Sequence, residues 1–151
     1  MITVFAAFFY WLFLWPQPKE LIPWRLDYAE AQTESRQTGK PLFLYFTATW
    51  CGPCQSLRAT TWADRSVADE LSKFTPVKLD VDIPANGRLA HVYNVDQSGI
   101  PFFVVFDQQG NLVRSDVGVM PPQMFLNWLK GNPQPGLILC TPPTPSPAAP
   151  S

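Results

Sequence analysis

The chain has 151 residues, a length that suggests one domain with extensions. Hydrophobic residues make up 46% and aromatic residues 14% of the sequence, which is enough to build a core. The net charge of -1 gives no electrostatic reason to expect nucleic acid or an acidic partner.

Residues 1–15 contain no charged side chain. As a helix they would be about 22 Å long at 1.5 Å per residue, shorter than the ~30 Å hydrocarbon core of a bilayer. A secretory signal peptide, a short membrane anchor and a buried helix are all compatible with this pattern. The lack of an Ala-x-Ala-like cleavage site favours an uncleaved anchor. Lys19 and Arg25 follow the segment, and by the positive-inside rule they argue against export of the rest.

The chain divides at changes in composition. Residues 16–23 are expected to be a linker, and residues 24–131 a globular domain. Residues 132–151 are rich in proline and poor in apolar side chains, so they cannot bury enough surface to offset the entropy of ordering. We therefore expect a disordered tail.

The globular part shows alternating helix and strand patterns. An amphipathic stretch followed by Gly39 and Pro41 predicts a helix over 24–37. The continuous apolar run LFLYFT, Leu42–Thr47, predicts a strand buried on both faces. The later elements are expected as helices over 52–62 and 66–73 (the latter capped by Ser66), a strand over 76–82, a helix over 84–93, strands over 102–107 and 112–117, and a helix over 121–130. This order predicts an α/β fold with a mixed central sheet and helices on both faces.

Large apolar and acidic side chains in these elements have ordinary structural explanations. Core packing is expected of Phe102, Phe103, Phe106, Trp62 and Trp128. Asp80 and Asp82 are expected at a strand end that faces water.

Cysteine usage limits the possible chemistry. Cys51, Cys54 and Cys140 cannot all be paired within the chain, because one is always left over. A structural zinc site needs four ligands, and the chain offers only these three cysteines and His91, with Cys140 in the stretch expected to be a disordered tail. We therefore predict no metal, and we expect His91 at the surface. Cys140 is open to interpretation as a free thiol, an intermolecular bridge or a residue without a role.

The stretch WCGPC places two cysteines where a buried strand gives way to a helix. Free N–H groups and a partial positive charge at a helix N-terminus stabilise a thiolate, so the thiol pKa falls below its usual value of about 8.5. Pro53 suits an early helical position, and Gly52 leaves room for a substrate. The two-residue spacer lets the second sulfur attack the first in a mixed disulfide. A static disulfide closing so small a loop would constrain the unfolded chain little, so the pattern favours redox chemistry.

The sequence resembles the thioredoxin family. WCGPC, residues 50–54, is similar to the active-site motif of that family, and VKLDVD at 77–82 is similar to its second central strand. YNVDQSGIPFFVVFDQQGNLV at 93–113 and DVGVMPPQMFLNWL at 116–129 are similar to its hairpin and its last helix. The resemblance covers roughly residues 24–130 and implies the thioredoxin fold.

The resemblance also implies residue roles. Cys51 would be the attacking thiolate, Cys54 the resolving thiol, and Trp50 the rim beside them. Pro101 would follow a cis peptide bond and face the sulfur pair. Two further residues would serve the substrate: the backbone of Ile100 would bind an extended segment, and Gly118 would let the chain pass close to the site.

Three positions depart from the family pattern. Tyr45 stands where a buried aspartate usually accepts the proton of the resolving thiol, and a tyrosine with pKa near 10 is a poor base. Lys78 occupies the place of the lysine that usually pairs with that aspartate. Proton transfer through water or through Lys78 is therefore one interpretation. A packing role for Tyr45, with Lys78 solvated, is the other. Ala59 replaces a kinking proline, and Gln55 replaces a common lysine.

These features predict a thiol–disulfide oxidoreductase that reduces protein disulfides without metal or organic cofactor. Its partners would be disulfide-bearing client proteins and an upstream thiol electron donor. A thiol oxidase or isomerase on the same fold, and a non-catalytic binding module, are the alternatives. The departures, and the stretch at 39–51, resemble membrane-tethered, exported thioredoxin-like domains. We therefore expect a domain on the periplasmic or extracytoplasmic side, tethered to the membrane through residues 1–15.

Overall fold

The computed structural model describes residues 19–131. The predicted anchor at 1–15, the predicted tail at 132–151 and Cys140 lie outside the described residues. The elements in chain order are α1 (Tyr28–Thr38), β1 (Leu42–Thr47), α2 (Gly52–Ala59), a 3-10 turn (Thr61–Ala63), α3 (Arg65–Leu71), β2 (Thr75–Asp80), α4 (Pro84–Val92), α5 (Val95–Ser98), β3 (Phe102–Phe106), β4 (Leu112–Val117) and α6 (Pro122–Leu129). None of the helices over 19–131 has the length and apolar character needed to cross a membrane.

The four strands form one mixed sheet in the order β2-β1-β3-β4. β1 lies inside the sheet, parallel to β2 and antiparallel to β3, and β4 completes the hairpin with β3. Every residue of β1 is buried, as the apolar run predicted. The carboxyl end of this fully enclosed strand fixes the position of the cysteine pair.

Helices cover both faces of the sheet, which confirms the predicted α/β fold. On one face, α2, α3 and α6 enclose a cluster of aromatic rings that includes Phe43, Trp62, Phe103 and Phe125. On the other face, α1, α4 and α5 pack on the opposite side chains of the strands. The residues predicted to be core aromatics are buried, namely Phe102, Phe103, Phe106, Trp62 and Trp128.

The predicted start of the first helix was wrong. α1 begins at Tyr28, and the side chain of Asp27 caps it by accepting the N–H of Glu30. Arg25, two residues before this cap, forms a parallel bridge to β2. Its N–H donates to the carbonyl of Pro76, and its carbonyl accepts the N–H of Lys78. Backbone pairing with a distant strand therefore competes successfully with the local helical pattern.

Several other predicted bounds also needed correction. Asp64, not Ser66, caps α3, because its carboxylate accepts the N–H of Val67 at 3.1 Å. The helix predicted over 52–62 ends at Ala59 and is followed by the 3-10 turn. The strand predicted to reach residue 82 ends at Asp80, and the short helix α5 was not predicted.

The described part of the predicted linker packs on the domain. Ile22 is buried in the same cluster as the aromatic rings, and the N–H of Leu21 donates to the carbonyl of Trp62 at 2.8 Å. Glu20 reaches Lys78 of β2. Residues 20–22 therefore contribute to the core and to the surface next to it.

We expect Ile22→Ala to lower the free energy of unfolding by about 2–4 kcal/mol, because it removes buried apolar atoms and leaves a cavity. Leu26→Ala is the matched control, since Leu26 is 71% exposed, and it should change stability by less than about 0.5 kcal/mol. Urea unfolding of the two variants measures both values. Equal stability of the two variants would show that the segment before residue 24 does not belong to the folded unit.

Candidate functional site

Cys51 and Cys54 form a disulfide at the carboxyl end of β1. Cys51 is the N-cap of α2, and its Sγ accepts the N–H of Cys54 at 3.2 Å. Side-chain oxygens of Ser, Thr, Asp or Asn normally do this capping, so here a sulfur occupies the position where the helix end attracts negative charge. Both cysteines are almost completely buried.

The two residues between the cysteines allow the helix to begin there. Pro53 lies in the first turn of α2, where its missing N–H has no intrahelical partner to lose. A Cβ built on Gly52 would meet no atom within 4 Å, and both residues are exposed. The face of the motif that carries Gly52 is therefore open to an approaching chain.

The loop of Ile100 and Pro101 brings a backbone carbonyl to Cys51, and Gly118 is bonded to that loop. The Ile100–Pro101 peptide bond is cis, as expected from the resemblance, and the carbonyl oxygen of Ile100 lies 3.8 Å from Cys51 Sγ. Gly118 has φ +107°, a conformation that other residues rarely adopt, and its N–H donates to the carbonyl of Pro101 at 2.9 Å. This bond ties the end of β4 to the loop that faces Cys51.

Trp50 forms an exposed rim held by a second loop. Its side chain is 67% exposed, and its Nε1–H donates to the carboxylate of Asp82 at 3.0 and 3.2 Å. The expectation that Asp82 is only a solvated strand end is therefore incomplete, because Asp82 positions an aromatic ring beside the cysteines.

A cleft of about 470 Å³ opens beside Cys54. Its lining includes Tyr45 of β1, Lys78 of β2, Arg58 of α2, and Glu20 from the segment before the domain. Tyr45 and Lys78 are register partners on the parallel strands β1 and β2. The second cysteine, rather than the first, therefore lines a space with several ionisable groups.

Tyr45 is a packing residue within this wall. It is only 1% exposed, and its ring packs against Trp24, Trp62 and Phe103 at centroid distances of 5.4, 5.1 and 5.8 Å. Burial raises the pKa of the Tyr45 hydroxyl above its usual value near 10. The hydroxyl therefore stays protonated at neutral pH and does not act as a base there.

Lys78 is held by a carboxylate from outside the predicted domain. Its Nζ lies 2.9 and 3.1 Å from the two oxygens of Glu20, and Trp24 Nε1–H donates to Glu20 Oε2 at 2.9 Å. The Glu20 side chain is 17% exposed and that of Lys78 is 27% exposed. Glu20 was not predicted as a site residue, and no local motif marks it.

His91 lies at the surface, as predicted. Its side chain is 76% exposed and contacts Asp96 at 3.0 Å. Over residues 19–131, no three His, Cys, Asp or Glu side chains are arranged to hold a metal ion.

A sequence profile of the thioredoxin-like family matches residues 23–108, more than half of the chain. The chain belongs to the thioredoxin-like family. The match includes the cysteine pair, the cis-proline loop and the strands that carry them. The chain is therefore a member of a thiol–disulfide oxidoreductase family, and it carries the Cys51–Cys54 disulfide.

Two curated relatives illustrate the range of the family. Thioredoxin of Mycolicibacterium smegmatis is 33% identical over 86 residues, which are 57% of this chain and 72% of that protein. The thiol:disulfide interchange protein DsbD of Campylobacter jejuni is 25% identical over 81 residues, which are 54% of this chain. These residues make up only 14% of DsbD, so the chain corresponds to a small part of that protein.

Solved structures show the same fold. A thioredoxin from Thermus thermophilus superposes with a TM-score of 0.64 at 28% identity, over 73% of this chain and 85% of that one. The C-terminal domain of DsbD from Neisseria meningitidis, in its oxidised form, superposes with a TM-score of 0.59 at 23% identity, over 73% of this chain and 99% of that domain. The thioredoxin fold predicted from the sequence is confirmed.

We expect Tyr45 to ionise only above pH 10 in the folded protein. Because its pKa is raised on folding, the unfolded chain loses the Tyr45 proton first, and stability falls as pH rises past about 10. Tyr45→Phe should therefore reduce the loss of stability as the pH rises above about 10. Tyrosinate absorbance of the wild type minus that of Tyr45→Phe gives the titration of this residue, and ionisation at or below pH 10 would contradict the packing assignment.

Proposed function

We propose that the chain is a thiol–disulfide oxidoreductase that reduces protein disulfides through a dithiol/disulfide cycle of Cys51 and Cys54. The observation that carries the proposal is the position of Cys51. Its sulfur caps a helix and lies 3.8 Å from the backbone carbonyl oxygen of Ile100. A sulfur in this place has the electrostatic support that a nucleophilic thiolate needs.

The cycle begins with the reduced pair. Cys51 thiolate attacks one sulfur of a client disulfide, and the other client sulfur leaves as a thiolate. The product is a mixed disulfide between Cys51 and the client. Cys54 then loses its proton and attacks Cys51 Sγ, which releases the second client thiolate and leaves the Cys51–Cys54 disulfide. Two electrons pass from the protein to the client, so an upstream thiol donor must reduce the pair again.

The proposed roles of the neighbouring residues follow from their placement. Gly52 and Pro53 leave the approach to the sulfur pair open and start the helix. Ile100 offers its backbone to an extended client segment, and Pro101 and Gly118 hold that loop in place through the hydrogen bond between them. Trp50 adds an exposed apolar surface. Backbone recognition of this kind would accept clients of different sequence, because main-chain groups are common to all of them.

The reducing direction is the part of the proposal that depends on redox potential. The motif Cys-Gly-Pro-Cys supports it through its likeness to thioredoxin, whose potential is about -270 mV, against about -120 mV for a strong oxidant. The kinship with DsbD, named for thiol:disulfide interchange, supports clients and donors that are themselves thiol proteins. The location outside the cytoplasm stays a prediction from sequence resemblance, which reporter fusions on either side of residues 1–15 would test.

We expect Cys54→Ser to accumulate mixed disulfides with client proteins, because the second sulfur is no longer present to resolve them. The matched control is the double variant Cys51→Ser, Cys54→Ser, which lacks both nucleophiles. Both are made with Cys140→Ser, so that the third thiol cannot trap clients. Non-reducing gels and mass spectrometry identify the adducts. Equal recovery of disulfide-linked clients from the two variants would leave only a non-catalytic binding module.

The direction of the reaction is measured by equilibrating the protein with dithiol and glutathione redox buffers. We expect a potential closer to about -270 mV than to about -120 mV. A potential near about -120 mV would assign the chain to the thiol oxidases.

A further inference from the structure

We propose that Glu20, acting through water in the cleft, accepts the proton of the Cys54 thiol when Cys54 attacks the mixed disulfide. This inference deepens the proposed function and rests on it. The juxtaposition that carries it is a Glu20–Lys78 ion pair lining the same cleft as the second cysteine.

The resolving step needs a proton acceptor near Cys54. Cys54 is 4% exposed and lines the cleft, so its thiol proton must leave through that cleft before the sulfur can attack. Tyr45, the β1 side chain at the wall of the cleft, is a neutral hydroxyl and does not take that proton. The acceptor must therefore come from another element that borders the cleft.

Five ionisable groups other than the cysteine border the cleft: Glu20, Tyr45, Arg58, Lys78 and Asp80. Arg58 and Lys78 are cations without a free acceptor position. That leaves two carboxylates. Asp80 Oδ1 accepts the N–H of Asp82 at 3.0 Å, so Asp80 is the competing candidate and is tested beside Glu20.

Glu20 has the arrangement that a proton acceptor in this position needs. Lys78 donates to both of its oxygens and Trp24 donates to Oε2, which holds the side chain against β2. A carboxylate has about four acceptor positions, so one remains on Oε1, and 17% of the side chain stays accessible. The cleft of about 470 Å³ that Glu20 and Cys54 both line has room for water. Glu20 does not touch the sulfur, so it is a positioning residue for the proton path.

The S–H proton of Cys54 passes through water to the Glu20 carboxylate, and the sulfur lone pair forms the bond to Cys51 Sγ. The bond between Cys51 Sγ and the client sulfur breaks, and its electron pair leaves with the client thiolate. That thiolate takes a proton from solvent, and Glu20 returns its own proton to solvent. When a donor reduces the disulfide, the same path returns a proton to Cys54.

The test isolates this second step. Reduced protein carrying Cys140→Ser is treated with one equivalent of a methanethiosulfonate reagent at pH 4, which places a methylthio group on Cys51. The sample is then stepped to pH values from 6 to 9.5. Acid quenching and intact mass measure the loss of methanethiol as Cys54 closes the disulfide.

We expect Glu20→Gln to slow this closure at least about tenfold at pH 6.5 and less than about threefold at pH 9.5, where hydroxide takes the proton. A purely electrostatic role has the opposite sign, because removing a negative charge favours the Cys54 thiolate and speeds closure. Faster or unchanged closure at pH 6.5 would therefore overturn the proposal. A purely structural role would slow closure equally at all pH values and would also overturn it.

Two matched variants complete the design. Glu34→Gln removes a similar ion pair, with Arg25 at 2.7 Å, but Glu34 does not line this cleft, so its profile should match the wild type. Asp80→Asn removes the other carboxylate of the cleft, and a pH-dependent slowing in this variant alone would assign the proton to Asp80 instead. If Cys51 takes up no methylthio group in the wild type, the proposed function itself fails, an outcome distinct from failure of the Glu20 assignment.

Discussion

The hydrogen bond from the Cys54 N–H to the sulfur of Cys51 is the contact on which the site depends. A helix N-terminus carries unpaired N–H groups and about half a positive charge. Placing a sulfur there gives the thiolate both a donor and a favourable field, while burial alone would have the opposite effect on its pKa. Chemistry at this position therefore requires that the strand end and the helix start be fixed relative to each other.

The core supplies that fixation. β1 is enclosed by β2 and β3, and all six of its residues are buried. Below it, edge-to-face contacts join Phe43, Trp62 and Phe125, with ring centroids 5.0–6.3 Å apart. Trp24 joins the same cluster from the segment before α1. Trp24 packs on the ring of Tyr45 in β1, and the same segment carries Glu20, which pairs with Lys78. Core packing and the ionisable side of the cleft therefore depend on the same stretch of chain.

Local signals in the sequence were enough to predict the strands at the centre of the sheet and the cysteine pair. The bounds of β1 and β4 match the structure, because an unbroken apolar run and a turn before residue 112 define them. The start of α1 could not be predicted from local pattern, because Arg25 pairs with β2, more than 50 residues further along the chain. The contacts of Trp50 with Asp82 and of Lys78 with Glu20 span 32 and 58 residues. These contacts form only once the strands have assembled, so local patterns in the sequence do not predict them.

The acidity of Cys51 is the property that the first step of the proposed cycle requires. Its most direct measurement is the rate of iodoacetamide alkylation against pH in the reduced Cys54→Ser, Cys140→Ser protein, in which Cys51 is the only thiol. The account predicts a half-maximal rate at a pH clearly below 8.5, the usual pKa of a free cysteine, about one unit or more lower. A half-maximal rate at or above pH 8.5 would contradict it, because a helix-capping sulfur would then have gained nothing from its position.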